Sequence, residues 1–466
     1  MNHFVVGGGI AGLCSSFLLT EKYPNDTIYL VEKSSELGGL LRSFHYGEHG
    51  TFDYGIHNIL ETGLEVLDTF LYNLLPENKW NVLEKDKRDL GGTYFNGFLQ
   101  TDTPYIDLRR LENSIRKECI GDFFDNLNRK DLIPTEEFIQ TSNAYDVLAH
   151  RFGESITDKV TRSPLKKLYG KELEELSSLA TMITPFERVV FFDEPIIKDF
   201  TSSEILRQKL AFVDQRHLPL EKSSGKKCFY PKDFGMYRAI EAFRAQLEKR
   251  NVRICLNSEL SEIYYDENNI YSLRLNKEKL EHIGEVIWSA GPFAATSALK
   301  LSFPKHPYDP PKKTAVFHAL FNKPIQMADL YYLYVYDAPF KSFRVINYEN
   351  YCPNAVVDNK HPVTVELLLD ANETDEDALI LSTLNELEQM GIIDQSYETH
   401  FKKIEFLPNG FPTPSLNNIH FIDCLRDQIK KKNLQNFTLV GIHAEKHLFF
   451  QDRILRDLYS KIIEDH

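Results

Sequence analysis

The spacing of apolar residues changes period several times along the chain, and each change predicts an element. His3-Phe4-Val5-Val6 reads as a short buried strand, and Leu13 to Leu19 repeats at helical spacing. Thr27 to Val31 is a second buried strand. Farther on, Ile240 to Leu247 predicts an amphipathic helix, followed by strand patterns at Val252–Leu256 and Glu259–Ile263 and a turn-rich Asp266-Glu267-Asn268-Asn269. Val286 to Trp288 and Phe437 to Gly441 read as buried strands, and a last helix is predicted from Ile454 to Ile463.

Between these blocks the period falls to two. Thr314–Phe321, Tyr331–Tyr336 and Val363–Leu369 alternate as the strands of an antiparallel sheet with one face open to a ligand do, and Thr93 to Leu99 is strand-like as well. Alternation places Tyr332, Tyr334 and Tyr336 on one face. The charged stretch 423–433 reads as a solvated helix face.

Composition narrows the class. With 466 residues, size scaling predicts about two or three domains. Hydrophobic residues make up 42% and charged ones 26%, so a folded globular chain is expected. The net charge of -14 argues against a nucleic-acid surface, which needs clustered Lys and Arg. Cys14, Cys119, Cys228, Cys255, Cys352 and Cys424 have neither zinc spacing nor a disulfide pattern, which points to a reducing cytoplasm. Apolar runs are too short for a transmembrane segment, and the first of them lacks a signal peptide's basic leader and cleavage site. Metal-site and serine-hydrolase motifs are not seen.

The first strand runs into Gly7, Gly9 and Gly12, a GxGxxG spacing that opens the first helix. Gly7 permits a tight turn, Gly9 a close pyrophosphate, and Gly12 close packing of helix on strand. Helix N–H groups then face the phosphates. The second strand ends at Glu32, twenty positions after Gly12, where a carboxylate takes both ribose hydroxyls and repels a 2′-phosphate.

Glu36-Leu37-Gly38-Gly39-Leu40-Leu41-Arg42 resembles the second glycine signature of the flavoprotein group that holds amine oxidases, protoporphyrinogen oxidase, phytoene desaturases and UDP-galactopyranose mutase. Phe52-Asp53-Tyr54-Gly55-Ile56-His57 resembles that group's segment beside the flavin ring. Phe229 to Tyr237 resembles its loop before a helix, with Phe234 where a second glycine is common. Val286 to Pro292 and Phe411 to Pro414 resemble later landmarks, and Lys167 to Leu176 and Phe343 to Tyr348 resemble segments of the mutase-like members.

The resemblance implies an α/β chain: a Rossmann-like FAD-binding domain interleaved with a mixed-sheet and helical substrate domain. The first takes residues 1–90, 215–300 and 405–466, and the second 91–214 and 301–404. It implies noncovalent FAD held by Gly7, Gly9, Ile10, Ala11, Gly12, Glu32, Lys33, Gly39, Leu40, Arg42, Gly55, His57, Leu260, Gly441, Gln451 and Asp452. Arg42 would meet the pyrophosphate with a planar donor fork. His57 and Arg344 are the catalytic candidates, His57 for proton transfer and Arg344 for a substrate phosphate.

Two enzymatic expectations follow for a small-molecule substrate. One is hydride transfer from an organic substrate to flavin N5. The other is redox-neutral sugar-nucleotide chemistry of the mutase kind. A third, a nonenzymatic protein with a structural cofactor, lacks a dedicated interaction segment.

Overall fold

The computed structural model describes residues 1–129, 131–218, 225–408 and 410–464. Five parallel strands run in the order Arg253–Cys255, Thr27–Val31, Asn2–Val6, Ile283–Trp288, Phe437–Leu439. Continuous apolar runs suit a parallel sheet because such sheets are covered on both faces. Phe4, Val286 and Trp288 pack with Leu260, Ile263 and Leu273 of a separate three-stranded antiparallel sheet, and with Ala295 and Ala298 of the helix Gly291–Ala298. The helix Ile10–Lys22 links the first two strands of the chain. This compact unit comprises Met1–Val82, Lys226–Pro307 and His420–His466.

The second unit, Leu83–Gly225 and Tyr308–Ile419, centres on a seven-stranded sheet. Its order is Thr399–Phe406, Lys313–Phe321, His361–Leu369, Ser342–Asn347, Tyr332–Val335, Gly91–Phe95, Phe98–Gln100. All pairs are antiparallel except Tyr332–Val335 against Gly91–Phe95. One face carries Phe317, Leu333, Val335, Val345, Val365 and Leu367, packed with Leu379 and Leu387 of the helix Glu376–Gln389. Helices between residues 113 and 209 complete the unit.

Several details depart from the sequence pattern. Thr93 to Leu99 is a hairpin rather than one strand, because Asn96 and Gly97 take positive φ of 53° and 76°, the backbone of a tight two-residue turn. The unit limits also lie elsewhere than 90, 215, 300 and 405. Lys87 and Leu90 accept hydrogen bonds from the Tyr331 hydroxyl and amide, and Gln215 pairs with Gly91, so both stretches belong to the second unit. Phe303 packs on Phe293, which keeps residues up to 307 in the first. The strand Thr399–Phe406 forms an edge of the large sheet, so the third segment of the first unit begins at His420.

Candidate functional site

In the first unit parallel strands end at Val6, Val31 and Leu439, and candidate residues follow each of these ends. Ligands of open α/β sheets bind at such carboxyl ends. Gly7 has φ of 105°, and a Cβ there would lie 2.6 Å from Ser289 Oγ. That hydroxyl sits against the carbonyls of Val6, at 2.9 Å, and Gly7, at 3.1 Å. A Cβ on Gly12 would stand 1.8 Å from the Gly7 carbonyl, so helix and strand touch only because the side chain is missing.

Gly9 is different. Its φ of -76° suits any residue, and the nearest atom to an added Cβ is the Gly39 Cα at 4.0 Å. The protein itself therefore does not require glycine there, and a ligand lying close over Gly9 would. The helix that starts at Ile10 has no side-chain cap and no acidic residue in its first turn. Its first N–H groups, with Ala11 and Gly12 following, are left as donors for an anion.

Glu32 is oriented by the backbone. One carboxylate oxygen accepts from the Gly8 amide at 2.6 Å, and the other from the Ser34 amide and hydroxyl at 2.7 and 2.8 Å. The oxygen that faces Gly8 keeps a further lone pair for a ribose hydroxyl, while the other already accepts twice. Gly38 and Gly39, with φ of 113° and 58°, bend the next segment back along Gly8, whose carbonyl accepts from the Gly38 amide at 2.8 Å. Arg42 is half-buried; its Nε donates to the Gly39 carbonyl at 2.9 Å and its guanidinium lies 4.9 Å from the Tyr54 ring centroid. Both terminal nitrogens remain without a partner among the described residues. Gly441, with φ of 90°, brings the end of the last strand to 3.7 Å from the Ala11 Cβ, measured from an added Cβ.

The other candidates are placed less directly. Lys33 is exposed and pairs with Glu259 at 3.0 Å, and the Leu40 side chain is exposed beside Gly39. The Leu260 side chain lies in the core, which leaves only its backbone to meet a ligand. Gly55 is buried and His57 half-buried in the segment after Asp53. The Gln451 side-chain amide bonds the Leu60 amide at 2.8 Å and the Asn58 carbonyl at 3.1 Å, and Asp452 pairs with Lys226 at 2.7 Å.

Asp53 itself has a role the sequence did not suggest. It is buried and accepts from the Ser43 hydroxyl at 2.6 Å, the Tyr230 hydroxyl at 2.6 Å and the Met236 amide at 2.9 Å. Burial pushes its pKa up, and the three donors oppose that shift. It joins the segment beside Gly55 to the loop before the helix Tyr237–Lys249.

In the second unit the sheet face away from the helix Glu376–Gln389 is polar and aromatic. Thr93, Tyr334, Arg344 and Glu366 form one row across four strands, with Tyr332 in the next row. Gly91 opposite Tyr332 leaves room for its ring, since a Cβ would lie 2.8 Å from it. Tyr334 stacks with Tyr336 at 5.8 Å between centroids and meets Tyr332 edge-on at 5.3 Å. Arg344 donates from Nε and one terminal nitrogen to Glu366 at 2.7–3.1 Å, with both carboxylate oxygens engaged. This bidentate pair compensates the charge expected to meet a substrate phosphate. Glu366 was missed from sequence, although it is the one carboxylate in the strand His361–Leu369. His318, beside Thr364 at 2.8 Å, is held neutral, its pKa pushed down to about 3 by burial.

Among the described residues no helix is long and apolar enough to cross a membrane, and no cluster of three or more His, Cys, Asp or Glu could hold a metal.

Residues 5–71 match the NAD(P)-binding Rossmann-like domain family. No curated protein sequence matches the chain. Among solved structures, a reduced UDP-galactopyranose mutase is similar at a TM-score of 0.74 and 17% identity, covering 99% of this chain and 93% of that one. A provisional protoporphyrinogen oxidase from Exiguobacterium sp. 255-15 is similar at 0.67 and 15%, covering 100% and 99%. Putrescine oxidase bound to putrescine is similar at 0.59 and 12%, covering 100% and 99%. The chain therefore has the fold shared by the FAD-dependent, amine oxidase-like flavoproteins, with an NAD(P)-binding Rossmann-like domain at its start.

Proposed function

We propose that the protein is an FAD-dependent oxidoreductase acting on a small organic substrate. The observation that carries this reading is the space at Gly9, which the protein does not need and a dinucleotide does. The surrounding donors fit the same group. Uncapped N–H groups at Ile10, Ala11 and Gly12 and the terminal nitrogens of Arg42 would hold the pyrophosphate, and Glu32 a ribose. Gly441 and the glycines Gly7 and Gly39 would let the backbone come close. When bound, FAD supplies a two-electron acceptor for a hydride.

The chain's own residues would do the rest. His57, half-buried after Gly55, would hold or release the proton that accompanies hydride loss, since an imidazole can both donate and accept one. In the second unit Arg344 is kept in place by Glu366 rather than free to bind an anion. The cysteines, none of them at zinc or CxxC spacing, fit a reducing cytoplasm.

Absorption of the purified protein tests the cofactor. A flavin spectrum is expected, and Gly9→Ala should fold with unchanged thermal stability yet retain no flavin. Wild-type protein that stays colourless and binds no added FAD would overturn the proposal.

A second reading, redox-neutral chemistry on a nucleotide sugar, is favoured by Arg344 lying beside Tyr334 on the aromatic face, and by the likeness to the mutase. Here Glu366→Gln discriminates. Removing the competing carboxylate should tighten UDP binding in calorimetry if a diphosphate belongs there. Absence of UDP binding to both proteins would exclude this second reading.

A further inference from the structure

We propose that the second unit carries a separate site for an organic oxyanion, in a cavity of about 510 Å³ whose wall holds Lys167 and Lys312. The site shares no residue with the Thr93, Tyr334, Arg344 and Glu366 row and does not depend on flavin binding. Cavities of a few hundred Å³ suit small organic ligands rather than bare ions.

Most of the charges on the wall are matched. Arg162 pairs with Asp158 at 2.7 Å and Glu174 at 2.8 Å, Lys166 with Glu172 at 2.5 Å, and Lys341 with Glu373. Lys167 and Lys312 are not. Lys167 Nζ, on a side chain 9% exposed, donates to the carbonyls of Val335 at 2.7 Å and Ser342 at 2.8 Å. Lys312 Nζ donates to the Lys167 carbonyl at 2.9 Å. Neither has a carboxylate within salt-bridge distance among the described residues. Lys312 acts electrostatically on Lys167, and ammonium groups with carbonyl partners alone are costly to hold charged, a cost that an oxyanion in the cavity would lower. Burial lowers the pKa of both, that of Lys167 to about 7.

The rest of the wall specifies the ligand. Pro339, Phe340 and Leu368 add an apolar side, so the anionic group should be attached to an organic body. Asp370, exposed and acting electrostatically on Lys312, sets a limit on anion affinity. The chemistry allows a phosphate ester or a carboxylate.

Calorimetric titration of the full chain, with FAD added to saturation, distinguishes these. The probes are phenyl phosphate, phenylacetate and uncharged benzyl alcohol. One anion per chain should bind, with the stronger of the two anions naming the class, and benzyl alcohol should not. Lys312→Gln should weaken binding about tenfold, as expected for one charge-assisted hydrogen bond. Asp370→Asn, at an exposed position that should not disturb folding, should tighten it. Anions that bind no better than benzyl alcohol, or an affinity indifferent to Asp370→Asn, would overturn the proposal.

Discussion

Lys167 offers a direct measurement of what burial of a charge costs this fold. Its ammonium is surrounded by Val335 and Ser342 carbonyls, with Glu386, Asp337 and Lys312 as the nearest charged neighbours. Two carbonyl acceptors need only two donors, so a neutral amine keeps both hydrogen bonds and loses the desolvation penalty. The folded pKa therefore falls from 10.5 to about 7. A depressed folded pKa means the unfolded chain binds more protons between those values, so stability rises with pH there. The contribution is complete above the unfolded pKa and is lost as pH falls through about 7. Between pH 7 and 9 the folded lysine goes from half to almost fully neutral while the unfolded one stays charged. That is worth about 2 kcal/mol at 1.36 kcal/mol per pKa unit.

Lys167→Met removes the titration while keeping the side chain's length. It also leaves two carbonyls unpaired, a cost that does not vary with pH. Urea unfolding followed by circular dichroism at pH 7, 8 and 9 gives the stability of each protein. The difference, wild type minus variant, should increase by about 2 kcal/mol across the range. Titration of groups that do not interact with Lys167 occurs in both proteins and cancels. A difference constant to within about 0.5 kcal/mol would refute the claim that Lys167 is neutral in the folded protein at high pH.

Other outcomes follow from single contacts. Asp53→Ala leaves the Ser43 and Tyr230 hydroxyls and the Met236 amide without their acceptor, and should lower stability by at least about 3 kcal/mol in denaturant unfolding; a loss under about 1 kcal/mol would mean the three donors find other partners. Tyr336→Phe deletes a buried hydroxyl that has no partner among the described residues, so thermal unfolding should show unchanged or slightly raised stability, about 1 kcal/mol at most. A clear loss would show that the hydroxyl is bonded. Gly12→Ala should prevent folding to a stable protein, since its methyl would meet the Gly7 carbonyl at 1.8 Å; a soluble variant with normal melting would contradict the packing described.

Much of the first unit was readable from sequence because its signals are local. Strand, glycine turn and helix occupy one stretch from Asn2 to Lys22, and a tight turn or a close approach excludes side chains whatever lies elsewhere. The apolar runs at Thr27–Val31 and Phe437–Leu439 likewise mark strands covered on both faces. The Asn96-Gly97 turn was equally local, and an alternating reading passed over it.

Contacts across strands could not be read in this way. Arg344 meets Glu366 because a bulge sets the register of Ser342–Asn347 against His361–Leu369, and a one-residue slip would send either side chain to the other face. Lys167 lies 168 and 175 positions from the carbonyls that hold it, and Asp53 lies 177 and 183 positions from Tyr230 and Met236. Periodicity states which face a residue occupies but not which residue stands opposite. The dinucleotide cradle was thus set by backbone rules within a few residues, whereas the charge balance of the sheet face and the burial of Lys167 depended on register and long-range packing, which only the folded chain decides.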